Sequence, residues 1–245
     1  MGKKDKPAVF CGNCSTVRQS KGATNFWSKS SNQPPRPASC PSDLHAEIID
    51  SSFAELKGEG EDAHLAKVAS IVEGLCYEQI AGSGAVRARW TRIEDTIALA
   101  KLMGWKKIGI ATCIGLLEET RQLDLILKAQ GFESYSICCK ASSVDKLDVG
   151  VAEHQKMRPG TFEPACNPIA QARILAEYGT EMNIIVGLCV GHDMLFTKHS
   201  KAPVTTLVTK DRVTGHNPVA ALYGQNAYYK RLQILPILPD SEQMV

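Results

Sequence analysis

The pattern of apolar and polar positions changes along the chain from helical spacing to short buried runs. Between residues 43 and 80, apolar side chains recur every three to four positions in LHAEIIDSSFAEL and HLAKVASIVEGLCYEQI, which predicts helices. TRIEDTIALAKLMGW predicts a further helix, because Thr91 and Glu94 have the spacing of a capping box. Beyond it, short apolar runs alternate with amphipathic segments.

Four short runs predict strands: KKIGIATCIG, FESYSICCK, MNIIVGLCVG and APVTTLVTKD, and the first and third of them predict buried strands. The amphipathic segments LLEETRQLDLILKAQG and NPIAQARILAEYG lie between the first three. Strands that alternate with helices form right-handed crossovers and a parallel sheet. We therefore predict an α/β fold with a mostly parallel, Rossmann-like sheet and flanking helices over about residues 85–235. Residues 106–112 and 183–188 should be adjacent or near-adjacent strands.

The first 42 residues differ from this pattern. They contain CGNC, a polar stretch and QPPRPASCP, without apolar periodicity, which predicts a loop-rich segment that lacks its own core. A structural zinc usually takes four ligands. Cys11, Cys14 and Cys40 would supply three, and Cys76, His45 or another group the fourth; alternatively, three thiolates hold a cluster with one open iron. The predicted domains are a metal-binding segment at 1–42 and an α/β core with N-terminal helices at 43–245.

The charge balance and the apolar runs give no support for a nucleic acid or membrane partner. The formal net charge is +2, from 28 basic and 26 acidic residues, so nothing favours nucleic acid binding. No apolar run reaches the roughly 18 residues of a membrane-spanning helix, and no signal peptide is evident. We expect a cytoplasmic protein without a membrane partner. A homo-oligomer remains open.

Nine cysteines are present, and several follow the predicted strands. In open α/β sheets, ligands bind outside the carboxyl ends of the strands. The positions at or near these ends that carry reactive or charged side chains are Cys113, Cys138, Cys139, Lys140, Cys166, Cys189, His192, Asp193, Lys210, Asp211, Arg212 and His216.

Three interpretations of these cysteines compete. Free cysteine is a frequently buried residue, so packing alone is one. A thiolate nucleophile is the second, because His192 is close to Cys189 and nearby cations lower the pKa of thiols. The third, which we favour, is a soft-metal or iron–sulfur site.

The segments IGIATCIGLLEE, CNPIAQARIL, GLCVGHDMLF and APVTTLVTKDRVTGHNPVAALY together resemble the DUF1847 family. The resemblance runs from the CxxC to the HNP segment. It implies metal binding through Cys11, Cys14 and Cys40, and an origin in an anaerobe. The family has a further cysteine between its CxxC and CP motifs, which this chain lacks. The family name carries no established reaction.

Our leading hypothesis is an enzyme that depends on an iron–sulfur cluster, a [4Fe–4S] cluster in its usual form, and acts on a small molecule. The cluster ligands would be Cys113, Cys139, Cys166 and Cys189. Cys189, His192, Asp193, Lys210 and Asp211 would serve catalysis through proton transfer and charge stabilisation. Lyase, desulfidase and oxidoreductase chemistry, the last with an electron-transfer partner, all stay open. The alternatives are a non-enzymatic zinc-binding or redox-sensing protein and a cysteine-nucleophile enzyme.

Overall fold

The computed structural model describes residue 9, residues 11–14 and residues 37–238. The chain divides into two compact units, residues 1–70 and 71–245. Among its described residues, the first unit contains a 3-10 turn at Cys11–Asn13, helix α1 (Pro41–Leu44), helix α2 (Ala46–Leu56) and most of α3 (Glu61–Leu75). The predicted domain boundary at residue 42 stays a prediction.

A small hairpin follows α3, where the apolar spacing had predicted more helix. Strands β1 (Tyr77–Gln79) and β2 (Val86–Ala88) pair in antiparallel register. The returning chain occupies the end of the helix, because the backbone N–H of Arg89 donates to Cys76 O and its Nε donates to Leu75 O. These hydrogen bonds satisfy carbonyls that a longer helix would have used, so the helix ends at Leu75.

Four parallel strands form the main sheet: β3 (Lys107–Thr112), β4 (Glu133–Cys138), β5 (Met182–Val186) and β6 (Val204–Val208). Their spatial order is β4-β3-β5-β6. Strands β3 and β5 are direct neighbours, with Ile110 opposite Ile184, as the sequence predicted. The order reverses between β3 and β5, since the chain first adds β4 on one side of β3 and then β5 and β6 on the other.

Helices flank the sheet. They are α4 (Arg92–Met103), α5 (Leu117–Ala129), α6 (Pro168–Glu177) and α7 (His192–His199), followed by α8 (Val219–Tyr223) and α9 (Arg231–Ile234). The predicted capping box of α4 is present between Thr91 and Glu94. Within the described ranges, no helix combines the length and apolar character needed to cross a bilayer.

The two faces of the sheet pack against different helices. Ala111 and Ile185 belong to the same buried cluster as Leu175 of α6 and Phe196 of α7. Successive side chains of a strand point to opposite faces, so Thr112 faces the other way. Its hydroxyl lies 2.6 Å from that of Thr120 on α5. Helix α5 therefore covers one face, and α6 and α7 cover the other.

A long excursion connects β4 to α6 and contains two 3-10 turns, Lys146–Val149 and Glu153–Gln155. Ion pairs hold it together. The Lys156 side chain, only 2% exposed, lies 3.1 Å from carboxylate oxygens of both Asp145 and Glu153. Lys146 pairs with Glu163, and the two ends meet where Ala165 N donates to Val144 O at 2.7 Å. The excursion is thus a closed loop whose ends both lie at the carboxyl edge of the sheet.

Candidate functional site

Strand ends β3, β4 and β5 each deliver a thiol to one edge of the sheet. Cys113 follows β3, and its backbone N–H donates to Val186 O at 3.0 Å. Cys139 follows β4, and its N–H donates to Thr112 O at 2.9 Å. These hydrogen bonds extend the sheet ladder past the formal strand ends, so the two thiols occupy positions set by the backbone. Cys189 lies in the turn that connects β5 to α7.

The fourth thiol, Cys166, arrives from the end of the excursion. The next residue, Asn167, donates its backbone N–H to Cys139 O at 2.8 Å. The Asn167 side chain also caps α6 by accepting from Ala170 N at 2.9 Å. The start of α6 is therefore fixed beside the end of β4, and Cys166 lies next to Cys139.

Cys113, Cys139 and Cys166 form a thiol row in which each thiol interacts with the next. Cys113 is 7% exposed and Cys139 is 2% exposed. The contact with Cys139 and burial raise the pKa of Cys113 to about 12. For Cys139, the contact with Cys113 lowers the pKa, but the contact with Cys166 and burial outweigh it and raise the pKa to about 11.

Cys166 is the acidic end of the thiol row. The hydrogen bond from Cys139 lowers its pKa to about 7 against the effect of burial, and the positive charge of Lys140 adds to the lowering. Cys189 and Cys113 both lie close enough to Cys166 to raise its pKa electrostatically. All four predicted cluster ligands are thus neighbours, and Cys166 is the member of the row that ionises first.

Three cations border these thiols. Lys140 lies at the start of the excursion, where its Nζ donates to Pro164 O. Lys210 interacts with the Cys113 thiol. The Arg212 guanidinium donates from Nη2 to Cys189 Sγ at 3.2 Å. None of the three forms an ion pair with a carboxylate in the part of the chain that the structure describes.

The close packing of Leu116 against the β5–α7 turn explains why residue 187 is a glycine. Gly187 has φ +67°, and a Cβ built there would lie 2.0 Å from Leu116 Cδ1. The same Cβ position lies 3.9 Å from Lys210 Nζ. A side chain at 187 would therefore have to displace the Leu116 side chain, and the positive φ would strain any residue other than glycine.

His192 begins α7 and lies close enough to Cys113 for the thiol to influence its pKa. Burial lowers its pKa, and the positive charge of Lys140 lowers it further, while Asp193 and Cys113 act in the opposite direction. The imidazole is therefore biased towards its neutral form at neutral pH, in which one nitrogen can accept a proton.

The two predicted carboxylates are engaged in their own turns. Asp193 Oδ1 accepts from Met194 N at 2.8 Å, and the residue lines an open pocket with Thr197 and Lys198. Asp211 Oδ1 accepts from Val213 N at 2.9 Å and from Thr214 N at 3.0 Å. The hydrogen bonds from Thr214 lower the pKa of Asp211. The catalytic roles of both carboxylates stay predictions.

The sequence of this chain is similar to those of known proteins. A profile of the family described as "Protein of unknown function (DUF1847)" matches residues 40–207. The chain belongs to the DUF1847 family. An uncharacterized protein of Methanocaldococcus jannaschii is 45% identical over 193 residues, which cover 79% of this chain and 90% of that protein.

The DUF1847 match includes all four thiols of the site but stops short of two of its cations. Cys113, Cys139, Cys166 and Cys189 lie inside residues 40–207. Lys210 and Arg212 follow the matched range. Cys40 is its first residue, whereas Cys11 and Cys14 precede it.

The remaining predicted metal ligands are distributed over both units. Cys11, Cys14 and Cys40 belong to the first unit, in which Cys40 is buried at 4% exposure. Cys76 belongs to the second unit, where its thiol donates to Glu73 O at 3.0 Å. Metal binding by these four cysteines stays a prediction.

The thiols at the sheet edge do not surround one point. Among the described residues, no group of three or more His, Cys, Asp or Glu side chains is arranged to hold one metal ion. The thiols are instead spread along a row.

Sequence analysis placed Lys140 and Arg212 at the strand ends without including them among the ligands or catalytic residues, and it missed Gln171. Lys140 follows the Cys138–Cys139 pair, and Arg212 follows Lys210–Asp211, so both stood beside selected positions. Gln171 is fully buried in α6 and donates from Nε2 to Ile137 O at 2.7 Å and to Thr112 O at 3.2 Å. Its polar character within an apolar helix face was the signal.

Proposed function

We propose that this DUF1847 protein is an iron–sulfur-dependent enzyme that acts on a small molecule at the carboxyl edge of its sheet. Cys113, Cys139, Cys166 and Cys189 would hold the cluster. The observation that carries the proposal is the meeting of four thiols from four separate segments beside three cations that lack carboxylate partners in the described residues. Packing alone has no need of such cations, whereas a thiolate-bound cluster is negatively charged and gains from them.

The strand order supports the placement of the proposed site at the carboxyl edge of the sheet. The order β4-β3-β5-β6 matches the first four strands of a flavodoxin-like, doubly wound sheet. In such sheets, ligands bind beyond the carboxyl ends of the strands where the order reverses. Here the reversal falls between β3 and β5, whose ends lead into Cys113 and Cys189. We therefore interpret the fold as Rossmann-like in this sense.

The residues around the thiols suit substrate binding and proton transfer. If only three of the four thiols bind, the cluster would have an open iron that could supply a Lewis acid; with all four bound it would supply an electron carrier. His192, biased towards its neutral form by burial and Lys140, can accept a proton from a substrate. Lys210 and Arg212 can hold negative charge on it. Lyase, desulfidase and oxidoreductase reactions are all compatible with this arrangement.

The test is anaerobic purification followed by an absorption spectrum and analysis of iron, labile sulfide and zinc. We expect reducible absorbance typical of thiolate-bound iron, and sulfide in proportion to iron. Cys139→Ser should abolish both. Cys138→Ser is the matched control, because it changes the adjacent, half-buried thiol that lies outside the row. A colourless protein without labile sulfide would exclude the cluster.

A second candidate, a thiol-nucleophile enzyme, is favoured by Cys166. The hydrogen bond from Cys139 and the charge of Lys140 hold its pKa at about 7, which leaves a substantial thiolate fraction at neutral pH. Colourless protein that is alkylated first at Cys166 would support this candidate over the cluster.

A further inference from the structure

Cys189 differs from the buried thiols of the site. Cys113 and Cys139 are almost inaccessible, whereas Cys189 is half-buried. Its sulfur is contacted by the guanidinium of Arg212, which is an exposed residue. This is a place at the edge of the site where a thiol and a cation can both be reached from solvent.

The turn that carries Arg212 is built by other residues. Asp211 Oδ1 accepts from the backbone N–H groups of Val213 and Thr214. His216 Nδ1 accepts from Asp211 N at 3.1 Å, and His216 N donates to Asp211 O at 2.8 Å. The carboxylate next to Arg212 in sequence is thus committed to the turn. A guanidinium has five N–H donors, and the contact with Cys189 accounts for one of them.

Lys210 provides a second positive charge, beside the buried Cys113 thiol. It interacts with the Cys113 thiol, and its Nζ lies 3.5 Å from the position of a Cβ at Gly115. The glycines at 115 and 187 keep side chains away from the ammonium group. Lys210 and Arg212 therefore provide positive charge on both sides of the thiol site.

The backbone N–H groups at the start of α7 could not bind an anion without losing their present acceptors. His192 N and Asp193 N both donate to Cys189 O, and Met194 N donates to Asp193 Oδ1. These donors are already used within the turn. Recognition of a negative charge must come from the two side-chain cations.

We propose that Arg212 binds the negatively charged group of a small anionic substrate, a carboxylate or an inorganic oxyanion, next to Cys189. This inference names the substrate class of the site and rests on the proposed function for the reaction itself. The planar guanidinium can form two parallel hydrogen bonds with a carboxylate or an oxyanion, whereas an ammonium acts as a point charge. Lys210 would then contribute charge on the Cys113 side.

The test compares two thiol reagents on the full-length chain after chelator and reductant treatment, at low ionic strength. Iodoacetate is a small carboxylate, and iodoacetamide is its neutral counterpart. With both, the thiolate sulfur of Cys189 forms a bond to the methylene carbon and iodide leaves. The ratio of the two rates cancels the ionised fraction of the thiol and reports the local charge.

We expect the iodoacetate-to-iodoacetamide ratio at Cys189 to exceed that of a neutral cysteine derivative by about fivefold, as one unit charge a few ångströms away produces in a water-like dielectric. Arg212→Gln should bring the ratio to within about twofold of that of the neutral derivative, and Arg212→Lys should retain most of the increase. Arg121→Gln is the matched control, because Arg121 is exposed and paired with Glu118 on α5. Peptide mass spectrometry assigns the modified cysteine.

Three results would overturn the proposal: a ratio equal to that of the neutral derivative, a ratio that Arg212→Gln leaves unchanged, or a Cys189 that neither reagent modifies. The outcome is independent of cluster content because the chain is metal-free. An increased ratio in a protein that purifies without iron and sulfide would keep the anion site and remove the cluster.

Discussion

At the scale of single residues, the thiol row acts as a graded series of proton donors. Each thiol that donates a hydrogen bond stabilises the ionised form of its neighbour and becomes harder to ionise itself. This explains why Cys113, in contact with Cys139 and buried, has a pKa of about 12, while Cys166 has one of about 7. The negative charge of the metal-free site is thus expected on Cys166, close to Lys140.

Cys166 should therefore show an unusual pH dependence in the metal-free chain. Only the thiolate reacts with iodoacetamide, so its alkylation rate should rise with pH to a midpoint near 7 instead of the ordinary 9.0, and should fall as the pH drops below that midpoint. Cys139→Ala removes the main hydrogen bond to the thiolate and should raise the midpoint. Cys138→Ala is the control and should leave it unchanged. A midpoint near 9 in the unmodified chain would contradict this explanation.

At the scale of elements, strands and helices bring distant residues to one edge, and the sequence revealed part of this. Buried runs end at Cys113 and Cys189, and parallel strands carry their ends to the same edge, so this neighbourhood could be predicted from periodicity alone. The structure of the excursion after β4 could not be predicted in this way. Its ion pairs join residues such as Lys146 and Glu163 that have no periodic relation. It nevertheless positions Cys166 and Lys140.

Helix α6 is attached to the sheet through Gln171. Its side-chain amide donates to the carbonyl of Thr112 in β3 and to that of Ile137 in β4. These two residues directly precede Cys113 and Cys138. A fully buried glutamine in this role aligns the helix with two strands at once. No motif marks it, because its function depends on which carbonyls lie opposite.

Gln171→Leu should destabilise the protein by about 1–3 kcal/mol, since it removes two hydrogen bonds from a site without solvent. The measurement is the urea midpoint followed by circular dichroism. Gln122→Leu, at an exposed position of α5, serves as the control and should change stability much less. Equal effects of the two substitutions would show that the buried amide does not secure α6.

At the scale of the whole molecule, the two cysteine groups belong to different units. Cys11, Cys14 and Cys40 lie within residues 1–70, and the thiol row lies within residues 71–245. The second unit has its own apolar core, which includes Ile108 and Ile184, both 0% exposed. Its sheet therefore does not need a metal in the first unit in order to fold. Two separate metal sites, one for each cysteine group, are the simplest expectation, and a single metal held by both groups is the alternative.

Cys14→Ser should separate these cases. If Cys11, Cys14 and Cys40 hold a metal of their own, the substitution should remove one equivalent of zinc and leave iron, labile sulfide and the thermal unfolding of the sheet unchanged, because metal binding couples only to the part that it orders. Cys139→Ser is the reciprocal variant and should lose iron and sulfide while it keeps zinc. Loss of both metals from either variant would indicate one shared site. Unchanged metal content in Cys14→Ser would contradict a metal role for the CxxC, and its two thiols would then have to be explained without a ligand.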